Sequence, residues 1–325
     1  MKKIIIIITS SIMIIISILI LEIFLVKNET FMITTFKKSY EIVSKVEEKD
    51  IIEILIYLSN ANAIVTSKDK INKCYIIDGN NNENHINLKL INIINREYNQ
   101  LIKNNNYYLF SYIFEIDFDV LSPYSVYIND ASLNIILNEK NYGLNIGSFS
   151  YSKIPYYGDE KNMLSINKIT PITENINGND TLLGLGIGLR NTNKEDIIIH
   201  NISLLDYSIK ASLNETKIIS LEEITNKSID QILGYKYEVQ CNDILSNSLN
   251  ILIEDASNIE FVLPIKYYNS YPINSFGFSI NYSLKTNKDI IYTYYFDDFV
   301  YFYSNYITYK SEDIIINTYE NSWFN

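Results

Sequence analysis

Two cysteines, two histidines, one tryptophan, five prolines and ten glycines are all that 325 residues hold of these types. Each scarcity closes a route. Cys74 and Cys241 form no C-x-x-C and have no histidine clustered with them, which argues against a structural zinc site. Their spacing is compatible with one disulfide or with two free thiols. His85 sits in a polar loop and His200 in an apolar strand, neither near a nucleophile motif, which argues against Ser-His-Asp and Cys-His chemistry. Positive charge is also short: 27 Lys and Arg stand against 38 Asp and Glu, a net charge of −11. Nucleic acid and anionic lipid both need a cationic surface, so neither is expected as the main partner. Beyond the lysines beside the first apolar run, positive charge gathers nowhere in this reading. Asparagine takes the place of glycine and proline in the loops.

Isoleucine and tyrosine are abundant, and the longest apolar run comes first. Residues 4–26, behind Lys2 and Lys3, are long enough to cross a hydrocarbon core, for which about twenty helical residues suffice. Thr9, Ser10, Ser11 and Ser17 can bond back to the helix backbone, and Glu22, near the end, reaches the headgroup region. The run outlasts the ~7–15-residue core of a secretory leader, ends without a small-residue cleavage site, and is not followed by a cysteine for lipidation. We expect an uncleaved single-pass anchor over residues 1–27, with the bulk of the chain extracytoplasmic at the cell membrane.

The remainder reads mostly as strands. In residues 107–120, Tyr112, Phe114, Ile116, Phe118 and Val120 alternate with Glu115, Asp117 and Asp119, the period of two of a half-buried strand. Aromatic and β-branched residues between polar turns mark further strands through to residue 318. Three stretches show helical spacing instead. Residues 36–58 suggest a stalk helix, although 51–57 would also serve as a strand. Residues 86–103 carry Leu88, Ile91, Ile94, Tyr98 and Leu101 three or four apart. Residues 220–257 suggest an insertion of two helices, the first opened by a capping box at Ser220 and Glu223 and stopped by Gly234. A boundary near Tyr157 divides the chain. The expected fold is mainly β with minor α: an N-terminal transmembrane helix, then two antiparallel β-sandwich-like domains over residues 28–158 and 159–325, with helical insertions.

Chemistry-bearing patterns are few. The Asn-rich turn at residues 78–82 lacks the Gly and bidentate Glu of a helix-loop-helix calcium loop. Gly184, Gly186 and Gly188 alternate within a strand that leads into an Asn-rich turn, so they make no phosphate cradle and suit close packing instead. Glu115, Asp117 and Asp119 form an acidic ladder, a solvated sheet face or a weak cation face. Residues 292–303 place tyrosines on both faces of one strand, and Tyr294, Tyr301 and Tyr303 are the candidates for an adhesive binding surface.

No catalytic residue, cofactor or metal is expected. The reading is a membrane-anchored, extracytoplasmic, non-enzymatic binding or accessory protein with a membrane or cell-surface protein as partner, a glycan ranking behind it. The alternative is an extracytoplasmic hydrolase using carboxylates such as Asp117, Asp119, Asp297 or Asp298.

Overall fold

Alternation prevails over helical spacing along nearly all of the described residues, which are 66% strand and 6% helix. The computed structural model describes residues 16–17, 30–46, 48–79, 85–117, 124–176, 179–241, 248–268, 273, 275–300 and 314–320. The anchor expected over residues 1–27, with Glu22, lies outside them except for residues 16–17. Among the described residues no helix is long and apolar enough to cross a membrane.

The first sheet takes its strands from β1 (Thr30–Thr34), β2 (Lys38–Lys45), β3 (Ile51–Leu58), β4 (Ile71–Asp78), β5 (His85–Ile102), β6 (Asn105–Ile116), β7 (Tyr124–Leu137) and β8 (Lys140–Ile154). The other two use β9 (Gly158–Asp159), β10 (Leu164–Ile176), β11 (Asn179–Asn191), β12 (Ile197–Leu204), β13 (Ile209–Ala211), β14 (Lys217–Ile218), β15 (Ile251–Ile253), β16 (Asn258–Tyr267), β17 (Ser275–Leu284) and β18 (Asn287–Val300). A last strand, β19 (Asn317–Glu320), returns to the first sheet, whose order is β19-β1-β3-β6-β5-β4-β7-β8-β2. All its pairs are antiparallel except β2 with β8, which run parallel. It is a single sheet curled into a half-barrel rather than a sandwich. Ile33, Ile54, Phe114, Ile135 and Phe149 meet in one fully buried cluster on its inner face. The curl brings β19 against β8: Tyr319 lies 4.8 Å from the Tyr142 ring, and Gly143 N–H donates to the Tyr319 hydroxyl at 3.1 Å. Each buried aromatic contributes about 1.5–3 kcal/mol of transfer free energy, which offsets the ordering of long strands.

Two expected helices are strands. Residues 36–58 form β2 and β3, where Ile52, Ile54 and Ile56 are buried while Ile51 and Glu53 are exposed. Residues 86–103 form β5, and the cause of the misreading is visible in its register. Bulges interrupt β5 between Leu90 and Asn92 and between Asn95 and Asn99, with Glu97 at φ +53°. Each extra residue shifts the phase of the alternation, so a broken period of two imitates spacings of three and four.

The remaining sheets, β10-β11-β16-β13 (with β14 on β16) and β15-β12-β17-β18-β9, face each other across one core. Leu185, Ile187, Leu189, Phe261 and Leu263 from one meet Ile197, Ile199, Phe278, Ile280 and Tyr282 from the other. The expected helical insertion shrinks to α1 (Ile229–Leu233). Its capping box is Ser228 with Gln231, not Ser220 with Glu223; the Ser220 hydroxyl donates to Glu260 and accepts from the Glu222 N–H. Gly234, at φ +85°, ends it as expected. The second expected helix is the edge strand β15 at residues 251–253, while residues 242–247 lie outside the described set. Bare backbone at Gly186 lets Leu221 and Ile224 approach; a Cβ there would lie 2.6 Å from Leu221 Cδ2.

The first sheet meets the sandwich through buried polar groups. Ser39 on β2, Ser148 on β8 and Ser208 form a triangle of hydroxyls 2.9–3.0 Å apart. Asp206, fully buried, accepts from Ser39 Oγ at 2.7 Å and from Ser208 N–H at 2.7 Å. Burial pushes the Asp206 carboxyl above the usual range, although the bonds from Ser39 and Ser208 oppose the shift. Nearby, Gly277 N–H donates to Glu41 Oε1 at 3.0 Å, and Tyr127 stacks on Tyr207 at 5.1 Å.

Candidate functional site

The site begins with a mismatch in strand length. β4 has 8 residues and β5 has 18. Their ladder runs only from Ile77 opposite His85 to Cys74 opposite Leu88. Beyond Cys74, β4 follows β7, with a bulge between Ile71 and Lys73, while β5 continues beside β6. The sheet therefore splits, and a groove of about 520 Å³ opens between Lys68, Ile71, Asn72, Lys73 and Cys74 on one wall and Asn87, Leu88, Lys89 and Leu90 on the other, with Asp117 beside it.

Three of the ten lining residues are lysines and one is an acid, in a chain of net charge −11. The lysines are exposed. Lys68 Nζ donates to the Ile91 carbonyl at 2.5 Å, Lys73 Nζ lies 5.2 Å from the Tyr75 ring centre, and Lys89 is 3.7 Å from Glu115. Among the described residues, Asn87 Oδ1 is buried with no hydrogen-bond partner, a vacancy of the kind that native folds rarely leave. Cys74 lies at the base, where burial pushes its thiol up to about 12; it makes no disulfide with Cys241.

Beyond the groove, among the described residues, no strand pairs with the outer edge of β5 from residue 89 onward. The edge is open to solvent, and Tyr98 and Leu101 are 44% and 66% exposed. Some amides of β5 are served by neighbouring side chains: Ile93 N–H donates to Asn92 Oδ1 at 2.9 Å, and Glu97 N–H to Asn95 Oδ1 at 2.9 Å.

No family model matches the chain, and no curated protein matches it.

Among solved structures, it is similar to a protein of unknown function from Porphyromonas gingivalis W83, at 7% identity and a TM-score of 0.22, covering 82% of this chain and 97% of that one. The C-terminal domain of the Streptococcus agalactiae AgI/II polypeptide BspA gives 7% identity and a TM-score of 0.17 over 81% and 98% of the two chains. The collagen-binding domain of the Erysipelothrix rhusiopathiae surface protein RspB gives 12% and 0.18 over 92% and 96%. Scores of this size carry neither topology nor ligand over to this chain.

Of the acidic ladder, Glu115 is already matched by Lys49 at 3.2 Å and Lys89 at 3.7 Å; the hydrogen bond from Lys49, with Lys89 adding to it, holds its carboxyl below the usual range. Asp117 is exposed at the groove, its N–H donating to the Asn87 carbonyl at 3.0 Å, and Asp119 lies outside the described residues. Among the described residues no group of three or more His, Cys, Asp or Glu is placed to hold a metal ion. Tyr294 is half-buried against the sandwich core, where burial, then Asp159 and Asp297, raise its hydroxyl pKa; Tyr301 and Tyr303 lie outside the described residues. Asp297 sits on β18, in a different sheet from Asp117. His200 Nε2 is 2.8 Å from Ser283 Oγ inside the third sheet, and His85 opens β5 opposite Ile77.

The groove lysines had a signal in the sequence that local reading passed over. Lys68, Lys70 and Lys73 fall within six residues of an acidic chain, a positive cluster away from the first apolar run. Lys89 and Asn87 join them only through the β4–β5 register, which no spacing encodes.

Proposed function

We propose that this chain is a non-enzymatic binding or accessory protein, held in the cell membrane by residues 4–26 with its β sheets outside, and that it engages a surface protein. The observation that carries the reading is the groove at the split between β4 and β5. It combines three ammonium groups, two side-chain amides and an open strand edge. Such a set holds a ligand by charge and hydrogen bonding.

Two experiments test the proposal. Cross-linking of the full chain in its native membranes, with photoreactive groups at residues 72 and 92, is expected to join one protein partner reproducibly; absence of any partner at both positions overturns the binding reading. Protease added to intact cells is expected to cleave the β sheets while the N-terminal peptide stays with the membrane. Protection of the whole chain, or release of the whole chain into the medium, overturns the placement.

A further inference from the structure

The open edge of β5 and the groove at its start are continuous. Among the described strands, residues 89–102 pair with β6 only, and side chains rather than a strand serve the Ile91 carbonyl and the Ile93 and Glu97 amides. Such an edge is a template for strand addition, in which backbone bonds supply affinity and alternate side chains supply selection. Exposed Tyr98 and Leu101 offer apolar contact along it, and Asn92 and Asn95 occupy Ile93 and Glu97 amides with bonds that an incoming carbonyl can replace.

Charge decides the occupant. Lys68, Lys73 and Lys89 line the first part of the path, with Asp117 beside them and Glu115 3.7 Å from Lys89. Arg96, further along β5, is already taken up by Glu53 at 2.5 Å and adds no free cation. A second copy of this chain would bring the same lysines to the same edge. An acidic segment meets them with opposite charge.

We propose that residues 89–102 of β5, with the groove lined by Lys68, Lys73 and Lys89, bind an extended acidic segment of a partner protein as an added strand. This rests on the binding-protein reading and names its ligand class. The acidic side chains lie over the lysines, and the segment continues past Tyr98 and Leu101.

The test uses the full chain in detergent micelles and a displayed library of random peptides of about twelve residues, long enough at ~3.3 Å per residue to cover most of the edge. Enrichment of proline-poor peptides with clustered Asp or Glu is expected. Synthetic copies should slow amide exchange within residues 89–102. The Lys73→Glu/Lys89→Glu double variant should bind them about tenfold more weakly, the scale of two or so exposed charge pairs, with its melting temperature unchanged. Enrichment without acidic residues, protection of other amides, or affinity unchanged in the double variant overturns the proposal, as does self-association of the wild-type chain through the same amides. Peptides that bind but protect another surface sink this inference and leave the binding reading intact. Failure of that reading shows separately, as absence of any cross-linked partner in membranes.

Discussion

The buried carboxylate of Asp206 allows the junction between the first sheet and the sandwich to be tested directly. The carboxylate accepts from the Ser39 hydroxyl and the Ser208 N–H, both at 2.7 Å, and the Ser208 hydroxyl also favours its charged form. In Asp206→Ala the Ser39 hydroxyl re-aims within its triangle, since Ser208 Oγ is 2.9 Å away, but the Ser208 N–H has no such freedom. One orphaned buried donor costs about 1–3 kcal/mol, partly offset because the buried charge is removed as well. Asp206→Asn behaves differently. Its carbonyl keeps the Ser208 N–H, and its amide donates to Ser39, whose hydroxyl then turns toward Ser148 or Ser208. Hydroxyls both donate and accept, so the ring reverses without losing a bond.

The sign of the pH dependence follows from burial. The folded pKa of Asp206 lies above its unfolded value, near 3.9, so the folded state holds the proton longer. Its contribution is fully present below that value and is lost as pH rises through the raised folded pKa, at up to about 1.4 kcal/mol per pH unit. Surface carboxylates such as Glu115 and Asp196, whose pKa values lysine hydrogen bonds depress, trend the other way, so the comparison with Asp206→Asn isolates the one group. Urea unfolding of both proteins, followed by far-ultraviolet circular dichroism from about pH 4 to about pH 7, should show the wild type losing ground to Asp206→Asn as pH rises. Parallel curves, or a wild type that gains on the variant, would refute the argument that burial dominates this carboxyl.

Three further outcomes follow from particular contacts. Gly147 sits at φ +106° on β8, and a Cβ there would lie 2.3 Å from the Lys38 carbonyl oxygen, so Gly147→Ala should unpick the parallel β2–β8 pair and lower stability by about 2 kcal/mol or more in urea titrations. Lys153 and Asp50 make a buried ion pair at 2.6 Å, with Tyr151 also donating to Asp50 at 2.7 Å. Lys153→Met alone should cost about 3–5 kcal/mol, and adding Asp50→Leu should restore part of that loss in a double-mutant cycle. The Cys74 thiol, pushed up to about 12 by burial, should resist iodoacetamide at neutral pH until denaturant is added, as read by peptide mass spectrometry; rapid labelling in the native state would contradict its burial.

Much of this architecture was written locally and some of it was not. The alternation around Tyr112, Phe114 and Ile116 announced β6 because one face of a sheet repeats every two residues. Residues 86–103 misled because two bulges break that repeat inside one strand. Gly184, Gly186 and Gly188 announced close packing, but the occupant, Leu221 and Ile224, is set by a turn some 35 residues away. The capping box was read at Ser220 but forms further on at Ser228; the Ser220 hydroxyl is bonded to Glu260, a contact that no local pattern encodes. The Ser39–Asp206 contact spans 167 residues, and no periodicity connects its ends. The groove is further removed still, since it arises from a difference in length between two paired strands.

An open edge that long raises the question of what keeps the chain from pairing with itself. The two bulges twist β5 away from flatness, and Lys68 sets its ammonium on the Ile91 carbonyl at 2.5 Å, occupying an acceptor that a second edge would use. Lysine suits this task because an approaching copy must strip water from the ammonium and bring its own lysines alongside. An acidic strand instead gains a charge partner as it displaces the same bond. Lys68→Ala therefore separates guarding from recruiting. Without the ammonium the edge loses its guard, so sedimentation velocity should show concentration-dependent association that the wild type lacks. The same variant should bind acidic peptides about two- to fivefold more weakly, the scale of one exposed charge. If the variant stays monodisperse and binds acidic peptides as well as the wild type does, the Lys68–Ile91 bond is incidental to the edge.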